Sequence, residues 1–339
     1  MAEFAISVPQ LVTDGAFAHV ALRSYLARAE ELGFVGVWVT EQVVGSAPNL
    51  DPSVMLALAA AYTSRVRLGC AVYVSTLASP LHLAKTVATL DQVSGGRLDV
   101  GLGAGGGFRA FGAFGMDREA FVGRFTEGLR LMQAAWTQER FDVDGRFWQA
   151  QGLAMEPKPR QKPYPPIWLG GSHPDALRRA VRLGDGFIGA GSTMTSDYLQ
   201  QARIVHEQVE RQGRDPATFR VAKRVYLAVD DDPAVAQARL TEALEGLYGY
   251  FGTTGVGRVG VSGRPADVAE TLQGIVDAGT DLLVLHPLYD DAEQMERVAA
   301  DVLPLLSSGS PRSIGVKRGV PATYRREATN VVGELRGVA

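Results

Sequence analysis

Residues Pro80 to Gly107 read PLHLAKTVATLDQVSGGRLDVGLGAGGG, and this stretch decides the fold. Apolar residues recur at helical spacing until Gly95-Gly96, where the pair stops the helix. A short apolar strand follows at once and empties into a glycine run. In α/β proteins ligands sit beyond the carboxyl ends of the strands, where main-chain amides not covered by side chains approach a phosphate or a planar ring. The stretch therefore predicts an anionic cofactor at the end of strand four.

Outward from this unit, strand-like runs alternate with amphipathic segments along the chain. The strands read as Phe4 to Val8, Val35 to Val39, Val66 to Val72, Leu98 to Gly103, Ile167 to Leu169, Phe187 to Gly189, Val221 to Val229 and Leu282 to His286. Gly33, Gly184 and Gly279 each stand where a helix gives way to a strand, and each is expected to adopt the left-handed conformation that ends a helix. Eight β/α units with nearly continuous apolar strands predict an α/β fold, a single (β/α)8 TIM barrel with insertion segments, over an open sheet. The domain spans 1–310, followed by a tail over 311–339 that carries six basic and two acidic residues. Residues 139–166 read as a hairpin and a proline-rich lead into strand five, and 247–264, with six glycines, as a lid-like loop.

A hydrophobic content of 46% and a net charge of −3 describe a globular protein and give no reason to expect nucleic acid or a membrane surface as partner. Cys70 is the single cysteine, which excludes an intrachain disulfide and a cysteine-based metal site. No apolar run reaches the roughly 18 residues of a membrane span, and no secretory leader is evident, so a cytoplasmic location is expected.

Four segments carry a family resemblance: Ala29 to Gln42 (AEELGFVGVWVTEQ), Leu83 to Gly105 (LAKTVATLDQVSGGRLDVGLGAG), Pro165 to Ile188 (PPIWLGGSHPDALRRAVRLGDGFI) and Gly263 to Pro287 (GRPADVAETLQGIVDAGTDLLVLHP). Together, and in register from about residue 4 to 306, they resemble the luciferase-like monooxygenases, which include oxidoreductases dependent on coenzyme F420. The resemblance implies a barrel with a flavin or deazaflavin across the carboxyl ends of its strands. It places the ring over strand three, at Cys70, Ala71 and Val72, with a non-proline cis peptide at Ala71-Val72 or one bond earlier. It also implies a homo-oligomer.

Gly101 to Gly106 matches G-x-G-x-x-G, but no helix opens at once and Glu127 falls inside the next helix rather than at a strand end. Gly103, Gly105 and Gly106 are therefore expected to line the flavin rather than a dinucleotide. Gly170, Gly171 and Ser172 read as a strand end turning into a helix capped by Ser172, with free N–H groups facing an anion. With Ala190, Gly191 and Ser192 after strand six they form a candidate phosphate cradle. Neither turn contains a lysine or arginine, so the cradle is expected to rely on main-chain and hydroxyl donors.

Glu41, Gln42 and His286 stand at strand ends, where barrel enzymes place their chemistry, and are the candidate catalytic residues. Many deazaflavin-dependent relatives have histidine where this chain has Gln42, and some have an acidic residue where it has Gly106. Both departures argue against a sugar-phosphate dehydrogenase. His82, His173 and His206 lack metal-ligand spacing, and Trp38, Trp136 and Trp168 read as core. The expected activity is hydride transfer between coenzyme F420 and a small organic substrate. The alternatives are an FMNH2-dependent monooxygenase served by a separate flavin reductase, and a flavin-binding barrel without catalysis.

Overall fold

The computed structural model describes residues 2–12, 17–105, 111–117, 119–249 and 255–307. Gly106 and the tail over 311–339 lie outside the described residues, as do 250–254 of the expected lid. Eight parallel strands close into a barrel: β1 (Glu3–Ser7), β2 (Gly36–Val39), β3 (Arg67–Val74), β4 (Leu98–Gly103), β7 (Ile167–Gly170), β8 (Gly186–Gly189), β9 (Arg220–Val229) and β11 (Leu282–His286). They pair in chain order and the ring shuts where β9 meets β8 and β11 meets β1. This is the (β/α)8 architecture, with all eight strands where the apolar runs predicted them.

Helices α1 (His19–Glu31), α2 (Pro52–Tyr62), α3 (Pro80–Val93), α4 (Phe121–Thr137), α5 (Pro174–Leu183), α6 (Thr195–Arg211), α7 (Pro233–Gly249), α8 (Pro265–Asp277) and α9 (Asp291–Arg297) surround the barrel. The predicted hairpin is β5 (Phe141–Asp144) against β6 (Gln149–Leu153), and two cis prolines, Pro157 and Pro163, shape the return to β7. The described end of the expected lid is not an open loop. Val261–Gly263 forms β10, which extends the sheet beside the upper end of β9. Gly33 and Gly279 have the expected positive φ, both 86°, whereas Gly184 does not. Gly184 ends α5 in an extended conformation, and a side chain there would meet Leu169 Cγ at 3.0 Å and the Ala180 carbonyl at 3.1 Å, so space selects this glycine.

Two layers fill the lower barrel. At the amino-terminal end Arg67 grips Asp99 (2.6 and 3.0 Å), and Trp168 Nε1 donates to the same carboxylate at 3.1 Å. Above them the rings of Trp38 and Trp168 meet edge to face, 6.0 Å apart, among Ala5, Ala222 and Leu282. Glycines make room for both rings: a Cβ on Gly69 would fall 2.4 Å from Trp38, and one on Gly186 would fall 2.7 Å from Trp168.

At the carboxyl end β3 bows out of register with β4 between Cys70 and Tyr73, and the Ala71-Val72 peptide is cis, one of the two positions the resemblance implied. The bow presses on β4. A Cβ on Gly101 would lie 1.9 Å from the Cys70 carbonyl oxygen, and one on Gly103 would lie 2.8 Å from Val72 Cγ2. The first half of the G-x-G-x-x-G match is thus a steric requirement of neighbouring strands. Gly101→Ala sets a methyl against main chain, which no rotamer change relieves, and is expected to lower the unfolding free energy by about 3 kcal/mol. Gly274→Ala in open space on α8 is expected to raise it by about 0.5–1 kcal/mol, both read from urea unfolding.

Candidate active site

A cavity of about 760 Å³ opens above the tryptophan pair, at the carboxyl ends of β2, β3, β4, β7, β8 and β9. Ala71 and Val72 lie in its wall where β3 bows. Gly103, Ala104 and Gly105 border it from β4, Gly170, Gly171 and Ser172 from β7, and Ala190 and Ser192 from the turn after β8. The strand-end glycines of three separate segments thus meet around one space.

The helix after β7 is capped differently from expectation. His173, not Ser172, is the N-cap of α5: its Nδ1 accepts the Asp175 N–H at 3.2 Å. Ser172 is left at the cavity wall. Cys70 does not line the cavity, because alternation along β3 turns its side chain into the core between barrel and helices, where burial pushes the thiol well above its ordinary value. Gly191 is also set back from the wall. A Cβ there would come within 2.7 Å of Tyr226 and 2.8 Å of Arg224 Nε, so its lack of a side chain makes space for those two groups.

Glu41 reaches the cavity. Its Oε2 accepts the Val74 N–H at 2.5 Å, tying β2 to the end of the bow. Burial pushes this carboxyl up to about 7, the Val74 hydrogen bond opposes the shift, and Asp51 adds to it. A carboxyl poised there holds or releases a proton near neutrality. Gln42 is turned away from the wall: its amide packs on Gly45, where a Cβ would fall 1.9 Å from Nε2. His286 stands in a small adjoining space with Val8, Gln10 and Thr40, its ring 5.0 Å from that of Tyr226. Burial, and then the Arg224 charge, push the imidazole well below its usual range, so it is neutral near pH 7. Thr40 belongs to both spaces, and Gln10 fixes it by accepting its N–H at 2.6 Å.

The wall also carries two cations, contrary to the expectation of a cradle without basic side chains. Arg179 comes from α5 and Arg224 from β9. Arg224 is held among the Tyr226 ring, 5.0 Å from its guanidinium carbon, and the hydroxyls of Tyr226 and Tyr248, which lie 2.9 Å apart. Its Nε is buried with no hydrogen-bond partner among the described residues. The guanidinium itself borders the cavity, where its positive charge suits an anionic oxygen. The sequence signal was the Lys223-Arg224 pair inside an otherwise apolar strand, since alternation must turn one of the two inward. Among the described residues no group of three or more acidic, histidine or cysteine side chains could hold a metal.

A family model described as luciferase-like monooxygenase matches residues 6–314. The chain belongs to this family. It is 32% identical over 323 residues to an F420-dependent glucose-6-phosphate dehydrogenase of Kineococcus radiotolerans, covering 86% of this chain and 94% of that one. It is 26% identical to an FMNH2-dependent dimethylsulfone monooxygenase of Pseudomonas putida, over 67% and 71% of the two chains. Its fold superposes on a monooxygenase from Streptomyces bottropensis with a TM-score of 0.75 at 25% identity, covering 89% of this chain and 99% of that one.

Glu41 gives this luciferase-like barrel a pH signature. A carboxyl whose folded-state pKa lies above its unfolded value takes up a proton on folding, so its contribution to stability falls as pH rises from the ordinary carboxylate range to about 7. Between about pH 4.5 and 8 wild type is expected to lose roughly 2–3 kcal/mol relative to Glu41→Gln, in which the side-chain carbonyl still accepts from Val74. Urea unfolding of both proteins across that range provides the check, and parallel pH profiles would contradict it.

Proposed function

We propose that this protein is an F420-dependent oxidoreductase that transfers hydride between the deazaflavin and a small organic substrate at the barrel mouth. The observation that carries the reading is the cavity of about 760 Å³, bordered by Ala71 and Val72 on one strand and by side-chain-free segments of β4 and β7. Its size falls within the roughly 300–1,000 Å³ of small-molecule sites. The residues fit the group: a Cβ on Gly103 or Gly105 would press within 2.8 Å of Val72 or Val74, so this rim stays flat and low, as a planar ring requires. The Arg224 guanidinium, which borders the cavity, supplies positive charge that suits an anionic group of cofactor or substrate.

When bound, the deazaflavin supplies the carbon that accepts or donates hydride. The chain's own groups then have distinct tasks. Gly170, Gly171, Ser172, Ala190 and Ser192 hold the cofactor's phosphate side, with Arg179 adding charge. Ala71 and Val72 support the ring. Glu41, poised near pH 7 at the cavity wall, takes or gives the proton that accompanies hydride transfer. Neutral His286 shapes the neighbouring space, and neither it nor Gln42, which is turned away from the wall, carries the proton. A sugar phosphate is not the proposed substrate, given Gln42 and Gly106 at the positions where such relatives bear acid-base groups. Resemblance to the dimethylsulfone enzyme supports the second reading, an FMNH2-dependent monooxygenase working with a separate reductase.

Fluorescence titration of the purified protein with F420 and with FMN tests the choice. F420 is expected to bind at least about tenfold more tightly, a difference of about 1.4 kcal/mol. Tight FMN binding with no F420 binding would overturn the proposal in favour of the monooxygenase. With a turned-over substrate from a screen of alcohols, enones and nitroaromatics, Glu41→Gln is expected to lower kcat about 100-fold while leaving the F420 dissociation constant unchanged.

A further inference from the structure

Lys223 precedes Arg224 on β9 and points to the opposite side of the sheet, behind the cavity wall. It is 2% exposed. Its Nζ donates to the Ala190 carbonyl and, at 3.0 Å, to the Thr193 carbonyl, the two ends of the turn that follows β8. Its stem runs past Gly189, where a Cβ would meet Lys223 Cδ at 3.2 Å, and its ammonium lies 5.3 Å from the ring of Tyr198 in the first turn of α6. Tyr198 is fixed in turn by a 2.8 Å hydrogen bond with Thr280. Burial and the adjacent Arg224 push the amine down to about 7, and among the described residues no carboxylate offsets them.

A lysine buried without a counter-ion is a costly way to join three elements, because an apolar side chain of the same length fills the space without desolvating an ammonium. What an apolar chain does not do is orient carbonyls. The Ala190-Gly191 peptide is trans, so drawing the Ala190 oxygen toward Lys223 turns the Gly191 N–H the opposite way, away from the lysine. The same grip sets the Thr193 peptide, and with it Met194, the N-cap of α6. Ala190 and Ser192 of this turn line the cavity.

We propose that Lys223 is the positioning residue of the site: from behind the wall it fixes the Ala190–Thr193 turn, itself closed by the Thr193 N–H donating to the Ala190 carbonyl at 3.1 Å, so that the Gly191 and Ser192 amides and the Ser192 hydroxyl are set to receive the anionic end of the bound cofactor. The inference rests on the function proposed above. Lys223 touches no ligand and acts only through the two carbonyls it holds.

The test uses the full-length protein, with F420 and FMN as probes. Lys223→Met is expected to weaken binding of the preferred cofactor about 10- to 100-fold and to speed amide exchange at 190–194 in the ligand-free protein. Lys223→Arg, which still donates to two carbonyls, is expected to restore binding to within about threefold of wild type. Lys158 is the control for a purely structural tie, since its Nζ also bridges two carbonyls, of Ala135 (2.9 Å) and Gln138 (2.6 Å), with neither lysine nor carbonyl at the cavity wall. Lys158→Met is expected to lower the melting temperature and leave cofactor binding unchanged. Wild-type affinity in Lys223→Met, or equal weakening in Lys158→Met, would overturn the role of Lys223. Wild-type protein that binds neither cofactor would overturn the proposed function itself, and with it any role of Lys223 in binding.

Discussion

The mouth of this barrel depends on one close approach, the bow of β3 against β4. The Cys70 carbonyl and the Val72 side chain occupy space that side chains on β4 would otherwise take, and only Gly101 and Gly103 make that possible. Because the bow projects Ala71 and Val72 into the space above the tryptophan pair, the cavity has a firm support there rather than an open shaft. Glu41 secures the end of the bow by accepting the Val74 N–H. Steric fit between two strands thus sets the shape of the pocket, and a carboxyl poised near neutrality in its wall is held by the same feature.

The chemistry of the wall follows from burial. Glu41, Lys223, Arg224 and His286 all sit where water is scarce, and each is displaced or constrained accordingly: the carboxyl up, the amine and imidazole down, the guanidinium still charged but incompletely partnered. Such groups are poor stabilisers of a fold. Their concentration at one end of the barrel, while Arg67 and Asp99 at the other end satisfy each other, sets the end that holds the cavity apart from the end that holds the strands together.

Much of this is legible in the sequence. Strand positions follow from apolar runs, helix ends from Gly33 and Gly279, and the cis peptide at Ala71-Val72 was one of the two bonds the family resemblance implied. What escaped the sequence is what depends on contacts distant along the chain. Gly184 looked like another left-handed cap, yet Leu169 and a helix carbonyl are what exclude a side chain there. Ser172 looked like the cap, but the histidine beside it takes the amide. Cys70 was expected at the ring, although strand alternation sends it to the opposite face from its neighbour. The two turns hold no basic group, as the sequence shows, but Arg224 and Arg179 reach the wall from other elements, which local reading of the turns does not reveal. Lys223 and Arg224, adjacent in sequence, are separated by the thickness of the sheet.

The tryptophan pair has a consequence for traffic. With Trp38 and Trp168 wedged against glycines and a bonded ionic layer beneath them, the barrel is a cup rather than a pipe. Among the described residues the lower end is filled by side chains, so a molecule resting on the tryptophan pair would meet packed rings beneath it and the opening at the carboxyl ends of the strands above it.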